Sequence, residues 1–337
     1  MLSSSNKHSG DLLSCPVEPL VNNYKDKKVF FEPLWGHNGD MLIRMGSLEM
    51  FKRVGIRLVK KPSDSELIVI NGGAGMSHFW RHGFQVLENY SQNFPSKPLL
   101  VLPSSWSFDP SNFPVSLSKR TAPVYFFSRE PYSFELLKSV NFEEEVYLGL
   151  DHDMAFHLEG ASFIKKLERR SESRHILVAE RGDIESSTGL VQSLPNLMRL
   201  VQTIFPESLR KKIPKSVRDL SVELIWFLER LFFLQKNRKL AERSLFAKES
   251  IEYVLKSNTE FTELPVYAVD ISLKSICSFR SFCLVIAQSG VVVTTRLHVA
   301  ILSSLLGKST FLKPGNWHKI IGVYEFSLKK RGNVKII

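Results

Sequence analysis

A chain of 337 residues is long enough for about two domains. Its composition, 43% hydrophobic and 23% charged, is that of a globular protein and excludes collagen-like, low-complexity and wholly disordered chains. Lysine and arginine outnumber aspartate and glutamate by 45 to 34, a formal net charge of +11, so we expect anionic partners.

Residues 1–28 are polar and aperiodic, which predicts a flexible lead-in without the apolar stretch of a signal peptide. No window has the length and apolar character of a membrane span. The three cysteines and nine histidines show no metal-ligand or disulfide-framework spacing, so we expect no metal site. These features predict a cytoplasmic protein, either soluble or bound peripherally to a membrane.

From residue 29 onward, short apolar runs alternate with helix-compatible stretches, as in buried parallel strands joined by crossover helices. The runs of the first half are VFFEPLW (29–35), LIVIN (67–71), PLLVLP (98–103), PVYFFS (123–128) and VYLGL (146–150). Those of the second half are HILVAE (175–180), PVYAVD (265–270), VVVTT (291–295) and STFLK (309–313). The pattern predicts an α/β fold with one Rossmann-like domain over 29–160 and another over 175–325.

A helix-prone segment, residues 205–258, interrupts the second half. Its stretch 210–239 contains nine basic and three acidic residues, a local net charge of +6, together with Trp226 and Phe232. A helix of this composition suits an anionic membrane surface. The alternative is that its aromatic residues pack on the second domain.

Two glycine-containing loops follow predicted strands of the first half, at the strand ends where α/β sheets bind ligands. In the loop 35–40, Asp40 is placed to cap a helix or to bind a sugar hydroxyl, with a simple tight turn as the alternative. In the second loop, Gly72 and Gly73 predict a nest of backbone N–H donors, although the loop matches neither a dinucleotide nor a Walker motif.

Arginine follows three other predicted strands. Arg129 precedes Glu130 and a helix that contains Ser133; a surface ion pair is the alternative to a ligand role. Arg181 opens the second half in a charge-rich turn, where a solvated loop is the alternative.

The third such arginine, Arg296, is followed by His298 at a strand-to-helix junction where packing alone would favour neither residue. The planar arginine fork suits carboxylate or phosphate, and a histidine moves protons near neutral pH.

Seven segments resemble, in this order, the polysaccharide pyruvyl transferase family: GHNGDMLI, NGGAG, LPSSWSF, SREPYSFELL, DHDMAFHL, ERGDIES and TTRLHVAILSSLLGK. The resemblance extends from about residue 30 to residue 320. It implies two Rossmann-like domains facing across a cleft, as in GT-B glycosyltransferases. It also implies transfer of the pyruvyl group of phosphoenolpyruvate to sugar hydroxyls as a cyclic ketal.

Carried over residue by residue, the resemblance covers His298 and Arg296 of the Arg-Leu-His motif. It also covers Arg129 and Arg181, and the other candidates come from the chemistry of their own loops. His298 is the expected catalytic acid or base. The expected donor-binding residues are Arg129, Arg181, Arg296, Gly72 and Gly73. The residues expected to bind or support the acceptor are Asp40, Asn38 and Ser133.

The expected partners follow from this chemistry. Phosphoenolpyruvate carries a carboxylate and a phosphate, which several cations and backbone donors can bind, so no metal or other cofactor is required. The acceptor is expected to be a glycan or a lipid-linked oligosaccharide; a peripheral membrane contact stays open, and no nucleic acid is expected. Two alternatives remain: a GT-B glycosyltransferase with a nucleotide-sugar donor, and a non-catalytic membrane-peripheral partner in polysaccharide assembly.

Overall fold

The computed structural model describes residues 10–12, 16–143, 145–181, 245–257, 259–274 and 277–337. These residues divide into two compact units, each with one parallel β-sheet. The expectation of an α/β fold with two parallel sheets is therefore confirmed, and the cleft between two domains stays a prediction.

Unit 1 consists of the described residues within Met1–Gly36, Asp40–Ala161 and His318–Lys330. Its strands are β1 (Gly10–Leu12), β2 (Lys28–Glu32), β3 (Arg57–Val59), β4 (Leu67–Ile70), β5 (Leu99–Ser104), β6 (Val124–Ser128) and β7 (Val146–Leu150). They lie in the order β1-β7-β6-β5-β4-β2-β3. The first four helices of the chain are α1 (Val17–Asn22), α2 (Asn38–Val54), α3 (His82–Asn93) and α4 (Pro131–Lys138).

Both faces of the unit 1 sheet are buried, as β4 shows most clearly. Leu67 and Val69 belong to one hydrophobic core, and Ile68 and Ile70 belong to the core on the other face. Because strand side chains alternate between the two faces, a sheet covered on both sides needs the uninterrupted apolar run that the sequence shows here.

The strand order of unit 1 reverses at β2. The chain passes from β2 to β3 on one side, returns to β4 on the other side of β2, and continues outward to β5, β6 and β7. The crevice outside the carboxyl ends of β2 and β4 is therefore the topological switch point of this sheet, where open α/β sheets bind ligands.

Part of the N-terminal lead-in predicted over residues 1–28 is helical in the structure. Val17 and Val21 in α1 are fully buried, and the Val17 N–H donates to Asp151 Oδ2 at 2.6 Å. A helix of six residues is too short for its apolar spacing to stand out in the sequence.

Unit 2 consists of the described residues within His37–Gly39, Ser162–Trp317 and Arg331–Ile337. Its strands are β8 (His175–Ala179), β9 (Val266–Ala268), β10 (Ser289–Thr294), β11 (Ser309–Leu312) and β12 (Val334–Ile336), in the order β12-β11-β10-β8-β9. The next helices are α5 (Ser162–Glu168), α6 (Leu245–Ser257), α7 (Phe279–Ala287) and α8 (Leu297–Leu305). Here the order reverses at β8, so the switch point lies between β8 and β10.

One boundary differs from the expected domains. The second domain was expected to extend to residue 325, but His318–Lys330, which includes α9 (Lys319–Val323), belongs to unit 1. Gly322 in α9 packs so closely on α4 that a Cβ there would lie 2.9 Å from the Cβ of Glu130. Of the helix-prone segment 205–258, the structure describes only α6, residues 245–257. The basic stretch 210–239 lies outside the described residues.

Among the described residues, no helix combines the length and the apolar character needed to cross a membrane.

Candidate functional site

Arg296 is anchored by a buried carboxylate in unit 2. Its Nε donates to Asp270 Oδ1 at 3.0 Å and its Nη2 donates to Asp270 Oδ2. Arg296 is 6% exposed, and Asp270, which follows β9, is fully buried. This bidentate pair fixes the plane and the orientation of the guanidinium.

The two threonines before Arg296 join the ends of β8 and β10. The Thr294 hydroxyl donates to Ala179 O at 2.8 Å and accepts from the Arg296 N–H at 2.9 Å. The Thr295 hydroxyl accepts from the Arg181 N–H at 2.7 Å. Arg181 and Arg296, more than a hundred residues apart in sequence, are thereby fixed at neighbouring strand ends.

His298 is the second residue of α8 and lies against the backbone of Gly39. A Cβ built on Gly39 would lie 2.5 Å from His298 Nδ1 and 2.8 Å from its Cβ. Only glycine at position 39 leaves room for the imidazole, because real side-chain carbons do not approach other atoms so closely. The glycine loop and the Arg-Leu-His segment predicted from the sequence thus meet in unit 2.

Asn38 holds this short segment in place. Its Nδ2 donates to Ile271 O at 3.0 Å and to Cys277 O at 2.9 Å, and its backbone N–H donates to Ser272 O at 2.8 Å. Asn38 is fully buried, so the structure gives it an anchoring role toward the loop that begins at Asp270.

Arg181, Arg296 and His298 therefore follow β8 and β10, the two strands that flank the switch point of the unit 2 sheet. Lys313, which sequence reasoning did not single out, directly follows the next strand, β11, and its N–H donates to Thr294 O at 2.9 Å.

Arg129 lies in unit 1 and is fully buried. Its Nε donates to Ser105 Oγ at 2.9 Å, and its Nη1 contacts Asp153 Oδ2 at 2.7 Å. The ion pair considered from the sequence is thus present, but its partner is Asp153 and it is not at the surface. Arg129 joins the loops that follow β5, β6 and β7, and a role in donor binding stays a prediction.

Ser133 supports the start of α4. Its N–H donates to Glu130 Oε2 at 2.9 Å, its hydroxyl donates to Glu130 Oε1, and the same hydroxyl accepts from the Trp106 N–H at 2.7 Å. His318 Nε2 lies 3.5 Å from Glu130 Oε1. Ser133 and Glu130 are fully buried, so Ser133 is a supporting residue whose hydroxyl is already engaged.

Close packing and backbone conformation account for glycine at positions 72 and 73, after β4. A Cβ on Gly72 would overlap Pro103 O, and the Gly73 N–H donates to Pro103 O at 3.3 Å. Gly73 has a φ of +131°, which favours glycine. The side chain of Asp40 lies beside this loop, with its Oδ1 3.8 Å from the position of a Cβ on Gly73. The predicted anion nest therefore already uses one of its N–H groups within the sheet.

Buried basic residues are few in the part of the chain that the structure describes. They are Arg129, Arg181, Arg296, Lys308 and Lys319. The three arginines are those that the sequence predicts for the donor site. Lys308 precedes β11 and so lies at the amino end of that strand, away from the strand ends that carry the arginines. Burial lowers the pKa of its ammonium group. Lys319, beside His318 at the start of α9, is a buried cation that sequence reasoning missed, because no strand precedes it closely.

No group of three or more His, Cys, Asp or Glu side chains within the described ranges is close enough to hold a metal ion. The expectation of a metal-independent protein stays a prediction.

A groove of about 590 Å³ lies between α5 and α7 in unit 2. Its lining includes the basic residues Lys166, Arg169, Arg170 and Arg280. None of the residues singled out from the sequence lines it. The candidate site is therefore located by the strand ends and the chemistry of their residues, and not by the size of this groove.

Two of three comparisons with known proteins found a match. A family model described as "Polysaccharide pyruvyl transferase" matches residues 21–312. A crystal structure of a functionally uncharacterized protein, KP1_0663 from Klebsiella pneumoniae subsp. pneumoniae NTUH-K2044, is similar with a TM-score of 0.56 and 19% sequence identity. The likeness covers 95% of this chain and 96% of that one, and at this identity it shows a shared fold alone. No curated protein matches the chain.

Proposed function

Because the chain belongs to the polysaccharide pyruvyl transferase family, we propose that it transfers the pyruvyl group of phosphoenolpyruvate to hydroxyls of a polysaccharide or its precursor, forming a pyruvate ketal. The family itself implies transfer to a polysaccharide. The identity of the donor, the ketal product and the roles of individual residues are the proposal.

One observation carries it: two buried arginines and a histidine occupy the switch point of the unit 2 sheet. Arg181, Arg296 and His298 follow β8 and β10, and ligands of open α/β sheets bind outside such strand ends. The proposed donor site lies there.

Arg181 and Arg296 suit the donor because phosphoenolpyruvate carries two anionic groups. Guanidinium groups bind carboxylate and phosphate through paired, charge-assisted hydrogen bonds. Asp270 holds Arg296 in one plane before any ligand arrives, so less side-chain freedom is lost on binding. Low exposure strengthens these electrostatic interactions relative to those at an open surface.

His298 supplies the proton chemistry in this proposal. Ketal formation requires protonation of the vinyl CH2 carbon, which leaves a cationic carbon that a first sugar hydroxyl attacks. A second hydroxyl of the acceptor then displaces phosphate, so that one C–H and two C–O bonds form while the C=C π bond and the C–O bond to phosphate break. The proton lost by the first hydroxyl balances the one taken up at carbon, and the proton of the second hydroxyl leaves with the phosphate. His298 removes a proton from an attacking hydroxyl, which stops that oxygen from carrying positive charge.

The proposal is tested by a donor screen with the full chain, measured as a shift of the thermal unfolding midpoint without added divalent metal. Phosphoenolpyruvate at about 100 times its Kd adds roughly 2.7 kcal/mol of stability. Inorganic phosphate and a panel of nucleotide sugars are tested in parallel. We expect the largest shift with phosphoenolpyruvate.

A matched pair of variants locates the site. Arg181→Gln is expected to reduce the shift, whereas Arg169→Gln, at an exposed arginine on the α5–α7 groove, keeps it. Stabilisation by a nucleotide sugar and not by phosphoenolpyruvate would instead support a glycosyltransferase. Equal effects of the two variants would remove the donor from the switch point of unit 2.

A further inference from the structure

Large aromatic rings are exposed around the switch point of the unit 1 sheet. Trp35, after β2, is 59% exposed, and Phe79 and Trp80, in the connection after β4, are 42% and 37% exposed. These are three of the six exposed large hydrophobic residues in the described part of the chain, and they follow the two strands that flank the switch point. Apolar surface gathered at a ligand-binding edge indicates a partner that covers it.

The loop that carries Phe79 and Trp80 is firmly held, so these exposures do not come from a loose segment. The His78 N–H donates to Ser107 O at 2.9 Å, and the Ser107 N–H donates to Met76 O at 2.9 Å. The Arg81 N–H donates to Ser77 O at 2.8 Å.

The beginning of the loop after β4 lies close to the end of the segment that carries Trp35. A Cβ on Gly75 would lie 3.0 Å from Leu34 Cδ1, which places the loop after β4 directly on the residue before Trp35.

The backbone bends sharply just after Trp80. Arg81 has a φ of +43°, which is rare outside glycine and costs about 1 kcal/mol or more. The bend ends the loop and starts α3 at His82. Backbone strain retained beside exposed aromatic rings is typical of a loop whose shape serves binding.

Three buried polar atoms at this end of the sheet have no hydrogen-bond partner among the described residues. They are Arg44 Nε, Asn71 Nδ2 and Ser77 Oγ. Asn71, which directly follows β4, is fully buried. Because buried donors are nearly always satisfied, these atoms indicate ordered water at this end of the sheet.

Arg44 covers one side of the Trp35 indole, with its guanidinium carbon 4.9 Å from the ring centroid. The indole is nevertheless 59% exposed, so most of its surface faces solvent. A flat apolar ring with a guanidinium beside it suits a pyranose, which has C–H groups on its faces and hydroxyls at its rim.

We infer that Trp35, Phe79 and Trp80 form a sugar-binding platform in unit 1 that holds pyranose rings of the acceptor polysaccharide. The inference rests on the proposed function for the kind of acceptor, and it adds the residues that bind it. The platform complements Asp40, the residue that the sequence predicts for the acceptor, whose side chain lies beside Gly73 in the loop after β4.

The test is binding of the full chain, without donor, to an array of immobilised neutral and acidic polysaccharides. The parent protein is compared with Trp35→Ala, Trp80→Ala and the double variant. The matched control is Tyr253→Ala, which removes an aromatic ring that is 51% exposed on α6 in unit 2. Thermal unfolding of every variant verifies that it is folded.

We expect the parent to bind at least one polysaccharide on the array. Each single tryptophan variant weakens that binding about tenfold, the double variant weakens it further, and Tyr253→Ala leaves it unchanged. Absence of binding by the parent, or equal losses in the tryptophan variants and the control, overturns the platform.

The donor screen on the same proteins keeps this inference separate from the proposed function. A normal response to phosphoenolpyruvate without polysaccharide binding contradicts the platform alone. Polysaccharide binding through Trp35 and Trp80 without a response to phosphoenolpyruvate supports the platform and contradicts the proposed donor.

Discussion

The imidazole of His298 lies directly against the backbone of Gly39, at the point where a Cβ would come within 2.5 Å of Nδ1. The two residues come from opposite ends of the chain, and Asn38 anchors the glycine by three hydrogen bonds, to the carbonyl groups of Ile271, Ser272 and Cys277. The position of the proposed base thus depends on a residue without a side chain.

The first prediction follows from this contact. Gly39→Ala forces His298 to move, because the new methyl group meets both the ring and its Cβ. Misplacing a base by about 1 Å costs on the order of 10²-fold in rate. We expect the rate of phosphate release from phosphoenolpyruvate to fall by about that factor, with donor affinity within a few-fold of the parent.

Gly290→Ala in β10 is the control for this variant, since the nearest atoms to its methyl group would be in the side chains of Leu264 and Phe261, at 3.0 Å. Equal rates for Gly39→Ala and the parent would show that the contact does not position the base.

The second prediction concerns the pair between Arg296 and Asp270. Asp270→Ala leaves a buried guanidinium without its carboxylate, which costs about 3–5 kcal/mol. We expect urea unfolding to show a loss of this size. Arg296→Lys is expected to lose stability as well, because an ammonium cannot reproduce the bidentate fork.

Donor affinity of these two variants is measured only at temperatures where both are folded. We expect both to bind phosphoenolpyruvate more weakly than the parent. Unchanged affinity in folded Arg296→Lys would remove Arg296 from the donor site.

The sequence predicts the central strands well and the edges poorly. The nine apolar runs correspond to β2, β4 to β7 and β8 to β11. The strands that it misses, β1, β3 and β12, each have three residues and lie at an edge of a sheet. An edge strand is buried on fewer sides, and β3 has no fully buried residue, so its composition carries no apolar run.

The partners of the predicted arginines illustrate the limit for the site. Asp270 and Asp153 follow predicted strands, as Arg296 and Arg129 do, and this shared position was the available signal. Their pairing depends on strand order, which the sequence does not specify: β9 and β10 lie on opposite sides of β8. The exposed rings of the unit 1 loops were missed for the same reason, since only the sheet order identifies β2 and β4 as neighbours.

The third prediction distinguishes a structural Arg129 from a ligand. Arg129→Gln and Asp153→Asn are each expected to destabilise the protein by several kcal/mol, because each leaves a buried charge without its partner. The double variant is expected to lose clearly less than the sum of the two, which a double-mutant cycle measures.

Additive losses in that cycle would show that the two residues act independently. Donor binding by the folded double variant then decides the donor role: affinity close to that of the parent means that Arg129 only supports the loops.

The fourth prediction is a pH dependence of stability from His157 in unit 1. Burial is the main cause that lowers the pKa of His157 below its ordinary value of 6.5, while Arg53 Nη2 lies 2.9 Å from its Nδ1. Below about pH 6.5 the unfolded chain therefore binds a proton that the folded protein resists, so the free energy of unfolding falls as the pH falls from about 7.

His157→Gln removes this titrating group. Urea unfolding at pH 7.5 and at pH 5.5 is expected to show a smaller loss on acidification for the variant than for the parent. The same loss in both proteins would assign the pH dependence to other groups.

The central claim is that His298 performs the proton transfer of pyruvyl transfer while the arginines hold the donor. The most direct measurement is the rate of phosphate release from phosphoenolpyruvate by the parent and by His298→Ala, with a polysaccharide bound by the parent as acceptor and donor binding measured by calorimetry. We predict a rate about 10²- to 10⁴-fold lower for the variant, with a donor Kd within a few-fold of the parent. A variant that releases phosphate as fast as the parent, or one that no longer binds the donor, would contradict the claim.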